Sequence, residues 1–261
     1  MKIILAKSAG FCFGVRRAVE LTEQTAAKVA ESGGAAKVFT FGELIHNRDV
    51  VNRLREAGIA PIESLDEAQR GDYVIIRSHG VPKKIYEELE TRGINFIDAT
   101  CPFVSNIHRI VSAAYERGEQ VFIVGNPEHP ETIGINGHCG NSAIFIRGEE
   151  ELRKLEGRSG CLVVQTTFDS ETFAAMQRVI EREYPRIRVF NSICSTTFER
   201  QREAEELSKK CDVMLALGDK HSSNTQKLKK ICEKNCRNTL NAAKECEISL
   251  DIFKNNDIMY L

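Results

Sequence analysis

The sequence predicts an α/β fold built from three similar units. Strand-like apolar runs alternate with helical patterns along the whole chain, which is typical of βα units around mostly parallel sheets. Three cysteines each follow a predicted strand and precede a predicted helix, at separations of 89 and 93 residues: Cys12, Cys101 and Cys194. This long period predicts pseudo-threefold repetition, with the last unit cut short where the sequence stops.

The predicted elements follow one another in a regular order. The strands are short apolar runs bounded by polar residues or glycine. They are Lys2–Ala6, Lys37–Gly42, Tyr73–Ser78, Asn95–Ala99, Gln120–Gly125, Ala143–Arg147, Cys161–Gln165, Arg188–Ile193, Asp212–Leu217 and Asp257–Leu261. The helices show apolar residues at helical spacing. They include Val15–Glu31, Val104–Glu116, Glu171–Glu183 and Phe198–Lys210.

The three cysteines divide the chain into three predicted α/β domains. These cover residues 13–100, 101–193 and 194–261, and the N-terminal strand region 1–12 is expected to join the third. Ligands of open α/β sheets bind beyond the carboxyl ends of the strands. Three similar units around an axis would therefore bring three thiols to one central point.

Composition limits the classes of function. The 261 residues carry 36 Lys and Arg against 37 Asp and Glu, so no overall basic field favours nucleic acid or an anionic membrane surface. The longest apolar runs are too short to span a bilayer, and the first strand is shorter than the core of a signal peptide. We expect a cytoplasmic protein in a reducing compartment, whose nine cysteines stay reduced or bind metal.

Three thiolates leave several chemistries open. They could hold zinc, or three irons of a [4Fe–4S] cluster, with one position open to substrate in either case. A thiol–disulfide function is disfavoured because no cysteine pair has CxxC spacing. The remaining six cysteines are interpreted as small buried hydrophobic residues: Cys139, Cys161, Cys211, Cys232, Cys236 and Cys246.

Polar motifs recur after other strands at similar offsets from each cysteine. Hydrogen-bond donors suited to phosphate oxygens are found at His46, His79, His129, Ser222, Ser223 and Asn224. The two serines could equally cap the helix that follows them. A lone histidine is more often structural than a ligand, and His108 and His138 are interpreted in that way.

Glu131 and Thr166 lie after strands at the level of these donors. A carboxylic acid beside a reducible carbon–oxygen bond can deliver the proton that lets hydroxide leave as water. Thr166 could pass on that proton or orient a substrate hydroxyl. A helix N-terminal charge is the structural alternative for Glu131.

Eight short motifs follow one another from residue 1 to about residue 256. They are Ala9-Gly-Phe-Cys-Phe-Gly-Val-Arg-Arg-Ala, His46-Asn, Ser78-His-Gly-Val, Asp98-Ala-Thr-Cys-Pro, His129-Pro-Glu, Gln165-Thr-Thr, Cys194 with Thr196-Thr and Arg200-Gln, and Gly218-Asp-Lys-His-Ser-Ser-Asn. In order and spacing they resemble the motifs of the 4-hydroxy-3-methylbut-2-enyl diphosphate reductases, the LytB family. The resemblance is specific because it extends over nearly the whole chain.

The resemblance implies a trefoil of three α/β domains around a [4Fe–4S] cluster ligated by Cys12, Cys101 and Cys194. The implied reaction removes the substrate hydroxyl with two electrons from ferredoxin or flavodoxin and two protons, and gives isopentenyl and dimethylallyl diphosphate. Glu131 and Thr166 match the proton-delivery positions of the family. The implied binding residues for the allylic diphosphate are His46, His79, His129, Thr166, Ser222, Ser223 and Asn224.

One feature departs from the family pattern. Family members continue with a Thr-Ala-Gly-Ala-Ser-type loop and a C-terminal helix, whereas this sequence stops at Asp257-Ile-Met-Tyr-Leu. A binding module that holds anionic ligands, with its cysteines on zinc or on no metal, therefore remains the alternative to the reductase.

Overall fold

The computed structural model describes residues 2–33, 35–243 and 258–260, the last three by their backbone alone. It confirms the α/β class: the strands form three four-stranded sheets, and every described strand pair is parallel. The helices are α1 Phe13–Glu31, α2 Arg48–Glu56, α3 Lys83–Arg92, α4 Pro102–Glu116, α5 Pro130–Gly137, α6 Ser170–Glu183, α7 Ser195–Ser208 and α8 Ser223–Glu233. Two 3₁₀ helices cover Leu65–Glu67 and Glu149–Leu155.

The strands occupy the three sheets in chain order. They are β1 Lys2–Ile4, β2 Val38–Phe41, β3 Ala60–Ile62, β4 Tyr73–Ile76, β5 Asn95–Asp98, β6 Gln120–Val124, β7 Ile144–Ile146, β8 Gly160–Val164, β9 Ile187–Phe190, β10 Val213–Leu217, β11 Thr239–Ala242 and β12 Ile258–Tyr260. The sheet orders are β3-β2-β4-β5, β7-β6-β8-β9 and β11-β10-β12-β1. Each sheet thus has the same order, and the N-terminal strand takes the fourth place in the last one.

Two edge strands were missed by the sequence prediction, β3 and β11. They have only 3 and 4 residues, and Pro61 lies in the middle of β3. A proline lacks the N–H that a central strand would donate, so it is tolerated only at a sheet edge and disguises the strand in the sequence. The predicted ends of the last strand, at residues 257 and 261, lie outside the described residues.

The helices after the three cysteines begin earlier than predicted. Cys12, Cys101 and Cys194 are themselves the N-cap residues of α1, α4 and α7. The predicted starts followed the first residues of each apolar stripe, but a helix begins at its cap, and a proline at the first position favours that start in α4. Each thiol therefore lies where the backbone N–H groups of a helix are exposed.

Apolar packing fixes the sheets against their helices. One buried cluster joins Ala18 and Val19 of α1 to Leu54 of α2 and Ile75 of β4. In the second sheet all five residues of β8 are buried, as expected for a parallel strand covered on both faces. This packing holds the carboxyl ends of the strands in place, where the candidate site residues lie.

The described residues fall into two compact units. One comprises Met1–Gly10, Thr166–Phe173 and Ile193–Leu261, and contains the third sheet; the other comprises Phe11–Gln165 and Ala174–Ser192, and contains the first two sheets. The division into domains 13–100, 101–193 and 194–261 stays a prediction. Among the described residues, no helix combines the length and the hydropathy needed to cross a bilayer.

Candidate functional site

Three histidines from two sheets meet in the larger unit. His46 follows β2, His79 follows β4, and His129 follows β6. The ring centroids lie 4.4 Å apart for His46 and His79, 5.5 Å for His46 and His129, and 5.4 Å for His79 and His129. The structure thus brings together the three histidines that the sequence singled out.

His79 is held neutral by its surroundings. Burial lowers its pKa well below the ordinary value of 6.5, and the nearby His46, His129 and Arg77 lower it further. Its Nδ1 atom is buried without a hydrogen-bond partner among the described residues. A buried polar atom is costly unless a ligand pairs with it, so this nitrogen indicates a site that a polar ligand completes.

A backbone hydrogen bond determines which ring nitrogen of His129 carries the proton. It is the N-cap of α5, and its Nδ1 accepts a hydrogen bond of 3.1 Å from the backbone N–H of Glu131. An accepting Nδ1 carries no proton, so the neutral ring carries its proton on Nε2. His129 is therefore a hydrogen-bond donor at the N-terminus of a helix, where an anion is favoured.

The same bond disfavours a metal at this cluster. One ring nitrogen from each of His46, His79 and His129 lies within 4.8 Å of the others, so the set has the makings of a three-histidine ion site. Metal on Nε2 of His129 would require a proton on Nδ1, and metal on Nδ1 would displace the Glu131 N–H. Either choice breaks the helix cap, whereas a phosphate oxygen leaves it intact.

Glu131 lies in the first turn of α5, and only 2% of its surface is exposed. Thr132 fixes the approach to this turn, because its hydroxyl donates to the carbonyl oxygens of Asn126 and His129. Exposed Glu128, by contrast, lies outside the helix. A carboxyl group buried at the end of β6 can exchange a proton with a bound molecule rather than with bulk water.

Gly14, two residues after Cys12, lies against the thiol of Cys101. A Cβ atom on Gly14, in the first turn of α1, would lie 2.6 Å from the Sγ atom of Cys101. The missing side chain therefore leaves room at this thiol. Arg17 ties the same two elements together, since it donates to the carbonyl oxygen of Thr100 at 3.1 Å.

Cys194 lies in the smaller unit, and its Sγ atom accepts a hydrogen bond at the start of α7. Its Sγ accepts a hydrogen bond of 3.3 Å from the backbone N–H of Thr197, and the Thr197 hydroxyl is 3.0 Å away. Its own N–H donates to the carbonyl oxygen of Thr166 at 3.2 Å. Hydrogen bonds to sulfur at a helix N-terminus favour the thiolate, the form that binds metal.

Ser222 and Ser223 open α8 in the smaller unit, and Asn224 follows them. Ser222 is the N-cap and accepts from the backbone N–H of Thr225 at 3.3 Å, as the structural alternative predicted. The Ser223 hydroxyl is 2.9 Å from the hydroxyl of Thr167. Capping does not exclude anion binding, because a helix N-terminus presents further N–H groups to a ligand.

Three further residues lie inside the sequence motifs but were given no role from the sequence: Gly14, Thr167 and Thr197. A small residue two positions after a cysteine and a threonine three positions after a helix cap were the available signals. Both are weak, because glycine and threonine occur at many helix ends for local reasons.

The cysteines set aside in the sequence lie mainly in the core. Cys139, Cys161, Cys232 and Cys236 are buried, and Cys211 is partly buried. Burial raises the pKa of Cys161 to about 11 and that of Cys232 to about 12. Cys246 lies outside the described residues.

His108 and His138 form a separate pair. Their rings stack with centroids 4.0 Å apart, and His138 contacts the carbonyl oxygen of Val81 at 3.1 Å. Burial lowers the pKa of His108 to about 3. They do not join the cluster of three histidines, in agreement with their structural interpretation.

Comparison with known proteins shows which protein family the chain is similar to. Residues 3–260 match the model of the LytB protein family. A relative from Thermoanaerobacter sp. (strain X514), named 4-hydroxy-3-methylbut-2-enyl diphosphate reductase, is 45% identical over 99% of this chain and 90% of its own length.

Two solved structures extend the similarity to the fold. The E-1-hydroxy-2-methyl-but-2-enyl-4-diphosphate reductase from Plasmodium falciparum superposes with a TM-score of 0.91 at 25% identity, over 99% of this chain and 81% of that one. An (E)-4-hydroxy-3-methyl-but-2-enyl diphosphate reductase, described as the terminal enzyme of the non-mevalonate pathway, has a TM-score of 0.70 at 35% identity, over 100% and 92%. The chain belongs to the LytB family of reductases.

Proposed function

We propose that this chain reduces 4-hydroxy-3-methylbut-2-enyl diphosphate to isopentenyl and dimethylallyl diphosphate, the last step of the methylerythritol phosphate route to isoprenoids. The substrate takes up two electrons and two protons, its carbon–oxygen bond breaks, and one water leaves. The observation that carries the proposal is the repeated position of Cys12, Cys101 and Cys194 as helix caps after the fourth strand of each sheet. The names of the relatives supply the substrate.

The three thiols suit an iron–sulfur cluster. Each is partly exposed at a helix N-terminus, and Gly14 leaves room beside Cys101. A [4Fe–4S] cluster on three thiolates supplies single-electron transfers and one iron with an open position. We propose that the predicted domains 13–100, 101–193 and 194–261 bring the three thiols to that cluster.

The histidine cluster suits the diphosphate. His129 offers Nε2–H, and His46 and His79 lie within ring contact of it, so three imidazoles face one small volume. A bound diphosphate adds negative charge, which favours protonation of His79 and opposes the effect of its burial. As the resemblance to the family implies, Ser222, Ser223 and Asn224 at the start of α8 are proposed as further ligands of the diphosphate.

Glu131 and Thr166 are the proposed proton-delivery pair. Glu131 is buried in the first turn of α5, two residues after the proposed donor His129, and its backbone N–H donates to that ring. A carboxylic acid there protonates the departing hydroxyl, and Thr166 orients that hydroxyl. Glu131 then regains its proton before the next turnover.

The source of electrons and the compartment belong to the same proposal. A reaction that needs two single electrons is served by a one-electron carrier, either ferredoxin or flavodoxin, in the cytoplasm. Neither membrane nor nucleic acid has a part in it. The near-zero net charge of −1 is consistent with a small-molecule substrate.

Anaerobic purification tests the proposal. We expect a brown protein with about four irons per chain after reconstitution, and reductase activity with dithionite and methyl viologen. Stoichiometric zinc without iron, and no turnover, would instead support the alternative, a module that holds anionic ligands. A reversible disulfide between Cys12 and Cys101 with exchange activity would support thiol–disulfide chemistry.

A further inference from the structure

Large aromatic side chains are exposed beside two of the proposed cluster ligands. Phe11 and Phe13 flank Cys12 and are 42% and 65% exposed, and Phe103, two residues after Cys101, is 42% exposed. The first turn of α1 lies against the Cys101 thiol through Gly14, so Phe13 and Phe103 belong to the adjoining first turns of α1 and α4. Exposed phenyl rings concentrated at one place indicate an interaction surface rather than ordinary scatter.

An exposed arginine follows the aromatic residues on each of the two helices. Arg16 donates to the carbonyl oxygen of Phe11 at 3.1 Å, and Arg109 donates to the Asn106 side-chain oxygen at 2.7 Å. Neither acceptor carries a charge, so these hydrogen bonds do not offset the positive charges of the two exposed guanidinium groups. The first turns of α1 and α4 contain no acidic residue. The N-termini of the two helices add further positive potential.

We propose that this basic aromatic patch, made of Phe11, Phe13, Phe103, Arg16 and Arg109, is the docking surface for an acidic one-electron carrier protein. The inference rests on the proposed function, because it assumes that the adjacent thiols hold a redox centre. An apolar centre with a charged rim is the usual construction of a protein interface. Opposite charge on the carrier would speed encounter and set its orientation.

An acidic carrier protein fits this patch better than a second copy of the chain would. Two copies meeting through the same patch would bring Arg16 and Arg109 against their own equivalents, and like charges at an interface oppose association. Electron-transfer complexes are small and transient, so three exposed rings with a basic rim are enough. Carrier chemistry also explains why the patch adjoins two cysteines.

Steady-state kinetics with two electron donors tests the inference. An acidic plant-type [2Fe–2S] ferredoxin, kept reduced by its NADPH-dependent reductase, is the protein donor, and methyl viologen with dithionite is the small donor. The variants are Arg109→Glu and Phe103→Ser. Their matched controls are Arg178→Glu, an exposed arginine on α6, and Tyr115→Ser, an aromatic residue that is 47% exposed on the same helix as Phe103.

We expect Arg109→Glu to raise the KM for ferredoxin about tenfold and to flatten its dependence on ionic strength, because charge reversal removes steering. Phe103→Ser should raise the same KM about threefold to tenfold through lost apolar contact. The rate with methyl viologen should stay within about twofold of wild type for both, since a small donor needs no docking surface. Both controls should behave as wild type with either donor.

A third variant keeps the test available if Phe103→Ser loses the cluster. If Phe103→Ser loses iron, Asn106→Asp carries the test, since it keeps the shape of the side chain and neutralises Arg109. It should raise the KM for ferredoxin about threefold.

Ferredoxin kinetics unchanged in Arg109→Glu and Asn106→Asp, with normal methyl viologen activity, would overturn the docking surface alone. A wild-type dimer that Phe103→Ser dissociates would assign the patch to a second copy and also overturn it. Absence of activity with methyl viologen in the wild type would instead overturn the proposed function.

Discussion

Cysteines occur in two different environments in this molecule, and the contrast shows how position decides chemistry. Cys101 caps α4 directly after β5, is partly exposed, and lies where helix N–H groups favour a thiolate. Cys161 lies inside β8, fully buried, where burial raises its pKa to about 11. We propose that the first binds metal, whereas the second packs as a small apolar side chain.

Histidines repeat the contrast. His129 follows β6 and presents its Nε2–H where an anion is favoured. His108 lies on the buried face of α4, stacked on His138, with its Nε2 atom unpaired among the described residues. In both residue types, the member that we propose to be functional follows the carboxyl end of a parallel strand.

Replacing Cys101 and Cys161 one at a time should give the largest difference in effect between the two environments. We expect Cys101→Ser to lose most of the iron and nearly all reductase activity, because serine is a poorer ligand than thiolate for iron. Cys161→Ala should keep its iron and lower the free energy of unfolding by only about 1 kcal/mol, the effect of a small cavity. Iron analysis and denaturant unfolding measure the two outcomes. Full iron retention in Cys101→Ser would remove it from the ligand set.

Two glutamates three residues apart allow a second comparison. Glu131→Gln should lower kcat about 100-fold to 1,000-fold, since an amide cannot donate the proton, while iron content and substrate affinity stay near wild type. Glu128→Gln, on an exposed carboxylate just before α5, should change kcat by less than about twofold. Kinetics with dithionite and methyl viologen measure both. Equal activities would show that burial at the end of β6 has no part in proton delivery.

A conservative change at His129 tests the anion site. Asparagine is a good N-cap, so His129→Asn should keep the start of α5 and remove the Nε2–H donor. We expect the affinity for inorganic pyrophosphate to fall about tenfold to 100-fold, the effect of one hydrogen bond to a charged group. The matched change His138→Asn should leave that affinity unaltered. Isothermal titration calorimetry measures both, and an unchanged Kd in His129→Asn would place the anion elsewhere.

Much of the fold follows from the sequence because parallel βα units repeat their signals. The central strands are continuous apolar runs, and the long period of Cys12, Cys101 and Cys194 follows from one repeated sheet order. Short edge strands escape prediction, because β3 and β11 have only 3 and 4 residues and Pro61 interrupts the pattern of β3.

Within the site, residue identities could be predicted but their states could not. The motifs name His79 and His129, yet the neutral form of His79 depends on burial among three other basic groups. Likewise the proton on Nε2 of His129 depends on one backbone N–H two residues away. Such states arise from contacts made only after folding, and a single sequence does not display them.

The smallest expected effect is the pH dependence of the free energy of unfolding that buried His108 causes. It tests the contrast between the two groups of histidines. The pKa of His108 is about 3 in the folded chain and has its ordinary value of 6.5 when unfolded. The unfolded chain therefore binds the proton more readily, so the contribution of this neutral ring to stability is complete well above pH 6.5 and is lost as the pH falls toward 3. Between pH 8 and pH 6 this amounts to about 1 kcal/mol. His108→Gln should lose that part of the pH dependence, as measured by urea unfolding at the two pH values against wild type. An equal pH dependence in the two proteins would mean that His108 gains a proton without opening the core around α4.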